Sequence, residues 1–394
     1  QAAGMAVIVL DVEGEYTFLH EPTDDQRMRS ALAERRLEPQ SVPNTLYYLV
    51  GRETANPSHP TLRKFSLQFA RLSPYTLIEI MGLTEAQAER FLKAYDIAKI
   101  LLRELDIFPK RGDPEQEQLA VEVDEFERGY PRLTLSFLLD VVGACVAKAG
   151  GSEIEPHNAA LQANDAAALK QQIAQLKIDS PISWRALLGK LARLNRLKVF
   201  DSDKAKPLIY KQMLRPGTVS VVDLSDSGMS ELSNLVIADL LRGVQDEQDQ
   251  AYQAFEAAKG STDAVTPPRV LIIIEEAHEF LSAERIEKLP VLFQQVARIA
   301  KRGRKRWLGL VFVTQFPQHL PRQVFGLVNS YILHKLTDPQ VVSTLQRTVS
   351  GIDEGLWKRL PGLAPGQAIV SFPHMTRPLL ASIDPTPAKL RMVD

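Results

Sequence analysis

The residues best suited to do chemistry stand at the ends of short apolar runs. In Leu271-Ile-Ile-Ile-Glu275-Glu276-Ala-His278-Glu279, four apolar residues end in two adjacent carboxylates. Nucleotide hydrolysis needs one carboxylate to orient hydrated Mg²⁺ and another to position the attacking water. Neighbouring strand residues point in opposite directions, so the pair can divide these tasks, Glu275 serving the metal and Glu276 the water. The plainer reading is a solvated helix start whose acids favour the helix dipole. A second buried run, Leu308-Gly-Leu-Val-Phe-Val-Thr314-Gln315, also ends in polar groups. If the two strands are neighbours, Gln315 can sense a γ-phosphate or hold the water; otherwise Thr314 is a cap and Gln315 a surface residue. A third run, Val9-Leu-Asp11-Val-Glu13-Gly14-Glu15-Tyr16, delivers further acids. Asp11 or Glu15 could join the outer shell of the metal, against a polar turn around Gly14 as the alternative.

Between the first two runs lies Arg298-Ile-Ala-Lys301-Arg302-Gly-Arg304-Lys305-Arg306, with six bases in nine residues and no acid. It reads as a solvated helix C-terminus, as a contact to the DNA phosphate backbone, or as an arginine finger reaching a neighbouring subunit's γ-phosphate. A planar, always-charged guanidinium suits the last task better than lysine. The phosphate-gripping pattern GxxxxGK[ST] occurs nowhere. Leu188-Gly-Lys-Leu191 lacks both the leading glycine and the hydroxyl, and falls in a helical pattern. There is no metal-ligand histidine pair and no G-x-S-x-G elbow, and His278 is not expected to bind zinc.

These acids require strands that carry them to one edge. Five apolar runs, Met5–Leu10, Leu46–Val50, Thr218–Leu224, Val270–Ile274 and Leu308–Val313, are short, rich in β-branched or aromatic residues and bounded by turn signals. Unbroken apolar runs predict a parallel sheet with helices on both faces, and in such sheets ligands bind beyond the carboxyl ends of the strands. Tyr331–Leu336 and Gln367–Phe372 are expected to add edge strands. From about residue 60 to 200 the pattern turns helical. Ser73-Pro74 starts one helix, and Thr84-Glu-Ala-Gln87 is a capping box. Ala88, Phe91, Leu92, Tyr95, Ala98 and Leu102 then form one stripe. Phe137–Lys148, Ala166–Ile178 and Trp184–Leu197 also read as helices, as does Leu232–Ala258, which the connector Lys259–Pro268 ends. The fold class is α/β with a helical subdomain inserted into the core. The expected organisation is a first core part over 1–56, the insertion over 57–203, a second core part over 204–380 and a tail over 381–394. Packing and shape are the expected roles of the insertion.

Composition sets the remaining bounds. The 394 residues are 45% hydrophobic and 24% charged, with a net charge of −1, so no overall field steers the protein toward DNA or membrane. The single cysteine, Cys145, lies in an apolar run, reads as a buried structural thiol and excludes an internal disulfide framework. No apolar stretch approaches the ~20 residues that span a bilayer. A cytoplasmic protein without a membrane partner is expected.

Taken together and in order, the motifs resemble the HerA–FtsK branch of motor ATPases, and within it the HerA type. The matching pieces are Val9–Tyr16, Ser220-Val-Val-Asp-Leu224, Ile274-Glu-Glu-Ala-His278, Ile299–Lys305, Val313-Thr-Gln-Phe-Pro317 and Leu360-Pro-Gly-Leu-Ala-Pro-Gly366. The resemblance implies a RecA-like P-loop core that works as a homo-hexameric ring, binds ATP and Mg²⁺ between subunits and translocates double-stranded DNA. It also implies a NurA-like nuclease or other effector as partner, in DNA-end processing or anti-phage defence. On this chain it places Asp11, Glu275 and Glu276 at the acidic positions and Gln315 at the sensor. Arg304 matches the glycine-arginine step, with Lys301 or Arg302 at the other basic position. Two departures stand out: Glu275 replaces the more usual Asp, and Lys301 stands where Arg is expected. The phosphate loop and N-terminal β-barrel of the family are missing, and the loop would precede the Asp11 strand by one helix. The expectation is a chain truncated upstream of Gln1, unable by itself to hydrolyse ATP. Two alternatives remain: an FtsK-like or conjugation-type DNA pump, and a ring-forming scaffold that assembles an effector with nucleotide only regulatory.

Overall fold

The computed structural model describes residues 4–178, 181–261 and 264–391, with the side chain of Asn164 left aside. The chain start at Gln1 and two residues of the connector 259–268 lie outside this range. All five apolar runs form strands of one sheet. With two more they make seven strands: β1 (Ala6–Asp11), β2 (Thr45–Leu49), β3 (Leu62–Ser66), β4 (Lys206–Pro207), β5 (Val219–Asp223), β6 (Val270–Ile274) and β7 (Leu308–Phe312). The order is β4-β3-β2-β5-β1-β6-β7, and every pairing is parallel. Strands β1 and β6 run side by side with Leu10 opposite Ile274, and Asp11 stands opposite Asp223 of β5. The acid-bearing ends of β1, β5 and β6 therefore share the carboxyl edge of the sheet.

The alternation of β1 shows how the core is built. Ala6, Ile8 and Leu10 enter the main core, whereas Val9 packs with Leu46, Val221, Tyr16 and Leu19 on the other face. That second face is covered largely by the segment after β1, more thinly than helices on both faces would do. Strand β3 lies inside the stretch whose pattern reads as helical. Its sequence, Leu-Arg-Lys-Phe-Ser, has exposed charges in the middle because it pairs on its outer side with only the two-residue β4, so no apolar run announces it.

Between β3 and β4 the helices α1 (Pro74–Ile80), α2 (Glu85–Glu104), α3 (Leu135–Gly150), α4 (Ala159–Ala174) and α5 (Pro181–Arg196) pack together. The Thr84–Gln87 capping box starts α2, whose Phe91, Tyr95, Ala98 and Leu102 are buried. Cys145 is buried in α3, and burial pushes its thiol up to about 12, as befits a structural residue. Helix α6 (Ser230–Ala257) and helix α7 (Pro290–Arg302) return the chain along the main core. The two later runs do not extend the large sheet. Strands β8 (Tyr331–Leu333) and β9 (Gln367–Ser371) join β10 (Leu379–Ser382) in a separate antiparallel sheet. Val341, Leu345, Trp357, Leu360 and Ile369 give it a core of its own, and that local burial overrides the expected edge pairing. Among the described residues, no helix is long and apolar enough to cross a membrane.

Candidate active site

Glu275 and Glu276 follow directly on β6 and face different neighbours. Glu275 turns toward β1. The Asp11 carboxyl and the Tyr16 hydroxyl are its polar neighbours there. Burial raises its pKa, and the nearby Asp11 and Glu15 charges raise it further. Asp11 is fully buried, and its pKa is likewise raised, first by burial and then by Asp223, against the lowering effect of its hydrogen bonds. Its Oδ1 accepts from Gly14 N (2.8 Å) and Glu15 N (3.0 Å), and its Oδ2 accepts from Tyr16 N (2.8 Å). Asp11 thus holds the turn that brings Tyr16 onto Glu275. Gly14 makes that turn at φ 77°, and a Cβ there would lie 2.8 Å from the Ala55 side chain.

Glu276 turns toward β7. Its Oε1 accepts from Gln315 Nε2 at 3.1 Å, and its Oε2 lies 3.0 Å from His278 Nδ1 without hydrogen-bond geometry. Thr314 Oγ1 stands 3.2 Å from the same His278 nitrogen, and Phe316 packs edge-on to the ring at 4.9 Å. The backbone of Glu276 has φ 44°, a left-handed conformation for a residue with a side chain. Such strain costs about 1–3 kcal/mol and concentrates at functional sites. Val313 N to Ile274 O and Ala277 N to Val313 O, at 2.9 and 2.8 Å, lock both sides of the turn. Each glutamate keeps one buried oxygen, Oε2, that accepts no hydrogen bond. Native interiors rarely leave such atoms unsatisfied unless an ion, water or substrate takes them.

The third acid position, Glu15, is half-buried. Its pKa is raised by burial and by Glu13 and Glu276. Among the described residues no three ligand-type side chains converge as a metal cage. Mg²⁺ takes one or two carboxylates plus phosphate oxygens and waters. The bare oxygen of Glu275 is the donor that fits it. Both oxygens of Asp11 are already engaged by backbone N–H groups, which puts Asp11 one step behind.

The structure brings Asp11, Glu15, Glu275, Glu276 and Gln315 to one edge and leaves Lys301, Arg302 and Arg304 away from it. The basic run ends α7 and precedes β7, whereas Gln315 follows β7. A five-residue strand at roughly 3.3 Å per residue separates the two ends. Arg298 pairs with Glu127, and Arg306 donates to Asp249 at 2.7 Å and lies 3.8 Å over the Tyr252 ring. Lys301, Arg302, Arg304 and Lys305 are exposed and pair with no acid among the described residues.

Three residues of the site had no role assigned from the sequence: Tyr16, Asp223 and His278. Asp223 accepts from Thr54 Oγ1 (2.6 Å), Ala55 N (2.8 Å) and Ser225 Oγ (2.6 Å), tying two loops to the edge. Its signal was available, since it is the one acid in the Thr218–Leu224 run, much as Asp11 directly follows the first. Tyr16 and His278 had only their place in the quoted motifs.

The parallel sheet, with acids along its carboxyl edge, has the RecA-like α/β architecture. In the fold comparison the chain resembles VirB4 of Thermoanaerobacter pseudethanolicus, with a TM-score of 0.54 at 12% identity, covering 97% of this chain and 82% of that one. No protein-family model matches the chain. It is 32% identical over 120 residues to a probable DNA double-strand break repair helicase HerA of Methanocaldococcus jannaschii, covering 30% of this chain and 23% of that protein. It is 27% identical over 179 residues to the DNA double-strand break repair helicase HerA of Saccharolobus solfataricus, covering 45% and 34%. By sequence the chain is similar to HerA-type helicases, and the matches span about a quarter to a third of these relatives' length.

Proposed function

We propose that this chain belongs to the motor core of an ATP-dependent double-stranded DNA translocase, active as a ring hexamer with ATP between subunits. The observation that carries the reading is the divergence of Glu275 and Glu276. Two adjacent carboxylates face separate surroundings, Glu275 toward Asp11 and Tyr16 and Glu276 toward Gln315 and His278, and each keeps one buried oxygen that accepts no hydrogen bond. Glu276 positions the attacking water and accepts its proton, and Gln315 orients Glu276 and senses the γ-phosphate. Glu275 would hold Mg²⁺, with Asp11, Tyr16 and Glu15 shaping the acid's surroundings; the ion supplies charge neutralisation on the phosphates. Arg302 or Arg304, with Lys301 beside them, would neutralise charge at the neighbouring subunit's nucleotide, a task their position denies them within one chain. Relatives named as DNA double-strand break repair helicases support DNA as the substrate, and the reading takes it to be double-stranded. A NurA-like nuclease or another effector as partner, and service in DNA repair or antiviral defence, extend the same reading.

In the full-length protein, Glu276→Gln should keep nucleotide binding and lower turnover by about 10²-fold or more. Near-normal hydrolysis by that variant would falsify the assignment. DNA-stimulated ATPase measured with and without a partner nuclease separates a motor from a scaffold: a motor responds to DNA alone.

A further inference from the structure

Helix α7 has attachments that the acid edge does not explain. It bears Lys301 and Arg302 at its C-terminal end and leads through Gly303 to Arg304. The helical block grips it at both ends. At the N-terminal end, Val291 N–H lies 2.9 Å from both carboxylate oxygens of Glu79 on α1. Toward the other end, Arg298, one turn before Arg302, pairs with Glu127 in the segment leading to α3. Glu127 accepts in addition from Arg242 of α6 at 2.7 Å, and the buried Arg242 is also held by Asp246 at 3.0 Å. Gln295 Nε2, midway along α7, reaches Ala238 O of α6 at 3.3 Å. An α-helix of this length is a rod of about 20 Å. Its basic end therefore goes wherever Glu79 and Glu127 hold the rest of it.

We propose that Glu79 and Glu127 are positioning residues that fix α7 and so aim Arg302 and Arg304 at the neighbouring subunit's nucleotide. The helical block thereby sets the rate of hydrolysis without touching the nucleotide. The inference rests on the reading that these arginines act in trans, and it gives the block a task beyond packing and shape.

The test uses the full-length protein with double-stranded DNA, a steady-state ATPase assay and a fluorescent ATP analogue for affinity. Glu127→Gln and Glu79→Ala should each lower kcat about tenfold, the order of loss that misplacing a remote positioning group brings. The analogue's Kd should stay within about twofold, because neither residue meets the nucleotide. Glu127→Asp, which keeps the charge, should recover much of the rate. In an Arg302→Ala/Arg304→Ala background the Glu127 and Glu79 changes should have no further effect on kcat. Equal fold-losses in both backgrounds, or no loss in the wild-type background, would overturn the inference while leaving the motor reading intact. Wild-type turnover by the double arginine variant would instead overturn the trans reading and this inference with it. Arg298→Gln breaks the same pair from the other side and serves if Glu127→Gln does not fold.

Discussion

The two ends of the large sheet handle charge in opposite ways. At the carboxyl edge, Asp11, Asp223, Glu275 and Glu276 are all buried, and backbone donors, hydroxyls and one amide hold Asp11, Asp223 and Glu276. At the amino edge of β7, four bases stand exposed with no acid partner among the described residues. Burying acids is costly, since desolvation disfavours their charged form, and the raised pKa values of Asp11 and Glu275 record that cost. Exposing bases costs almost nothing, because water solvates them. The acid edge is thus organised before any ligand arrives, whereas the basic run waits for a partner to define its use.

The largest expected effect separates the two ends. Arg302→Ala/Arg304→Ala in the full-length protein should cost on the order of 10³-fold in turnover with little change in nucleotide affinity. Mixing that variant with Glu276→Gln subunits should restore part of the lost ATPase, because an intact acid edge and an intact basic run can then meet across an interface. Failure of complementation would remove the basis for calling the two ends halves of one site. A smaller change is expected at the acid edge itself. Tyr16→Phe removes the hydroxyl beside Glu275 and should raise the Mg²⁺ concentration for half-maximal turnover by about tenfold, the order of effect of one polar interaction with a charged group. An unchanged Mg²⁺ requirement would detach Glu275 from the metal.

The basic end has its own structural test. A Cβ on Gly303 would lie 2.3 Å from the Leu308 carbonyl oxygen, so Gly303→Ala must push the basic run off β7. Overpacking of this kind typically costs about 1–3 kcal/mol, read as a lowered thermal midpoint. A neutral result would mean that the run is free of β7. The smallest effect concerns pH. Burial raises Glu79 from an ordinary carboxyl value of 4.5 to about 7, against the lowering influence of the Val291 and Leu292 N–H groups. The folded state therefore holds this proton more tightly than the unfolded chain. Its contribution to stability is complete below about pH 4.5 and is lost as pH rises through about 7. Asp11 and Glu275 are raised in the same direction. Thermal midpoints of the wild type should fall from pH 5 to pH 8, and Glu79→Gln should flatten part of that slope; an identical slope in the variant would show that Glu79 is not the group titrating.

Much of the sheet was legible from local chemistry. The five apolar runs rich in β-branched or aromatic residues became strands, and the Thr84–Gln87 box started its helix in place. β3 was not legible, because its middle residues are charged and exposed. The last strands were misplaced because residues far apart in the chain, Val341, Trp357 and Ile369, make a second core that no single window displays.

For the site, the sequence alone determined which groups are acidic, which are basic, and that each acid ends an apolar run. Those facts follow from side-chain type and strand periodicity, which are local. Only the tertiary structure decided who faces whom. The β1-β6-β7 order set Glu275 against Asp11 and Tyr16 and Glu276 against Gln315 and His278. It also spent both oxygens of Asp11 on the turn after β1, and it put the length of β7 between the basic run and the acids. Register and strand order arise from burial summed over the whole chain, so no stretch of sequence near Glu275 could have contained them.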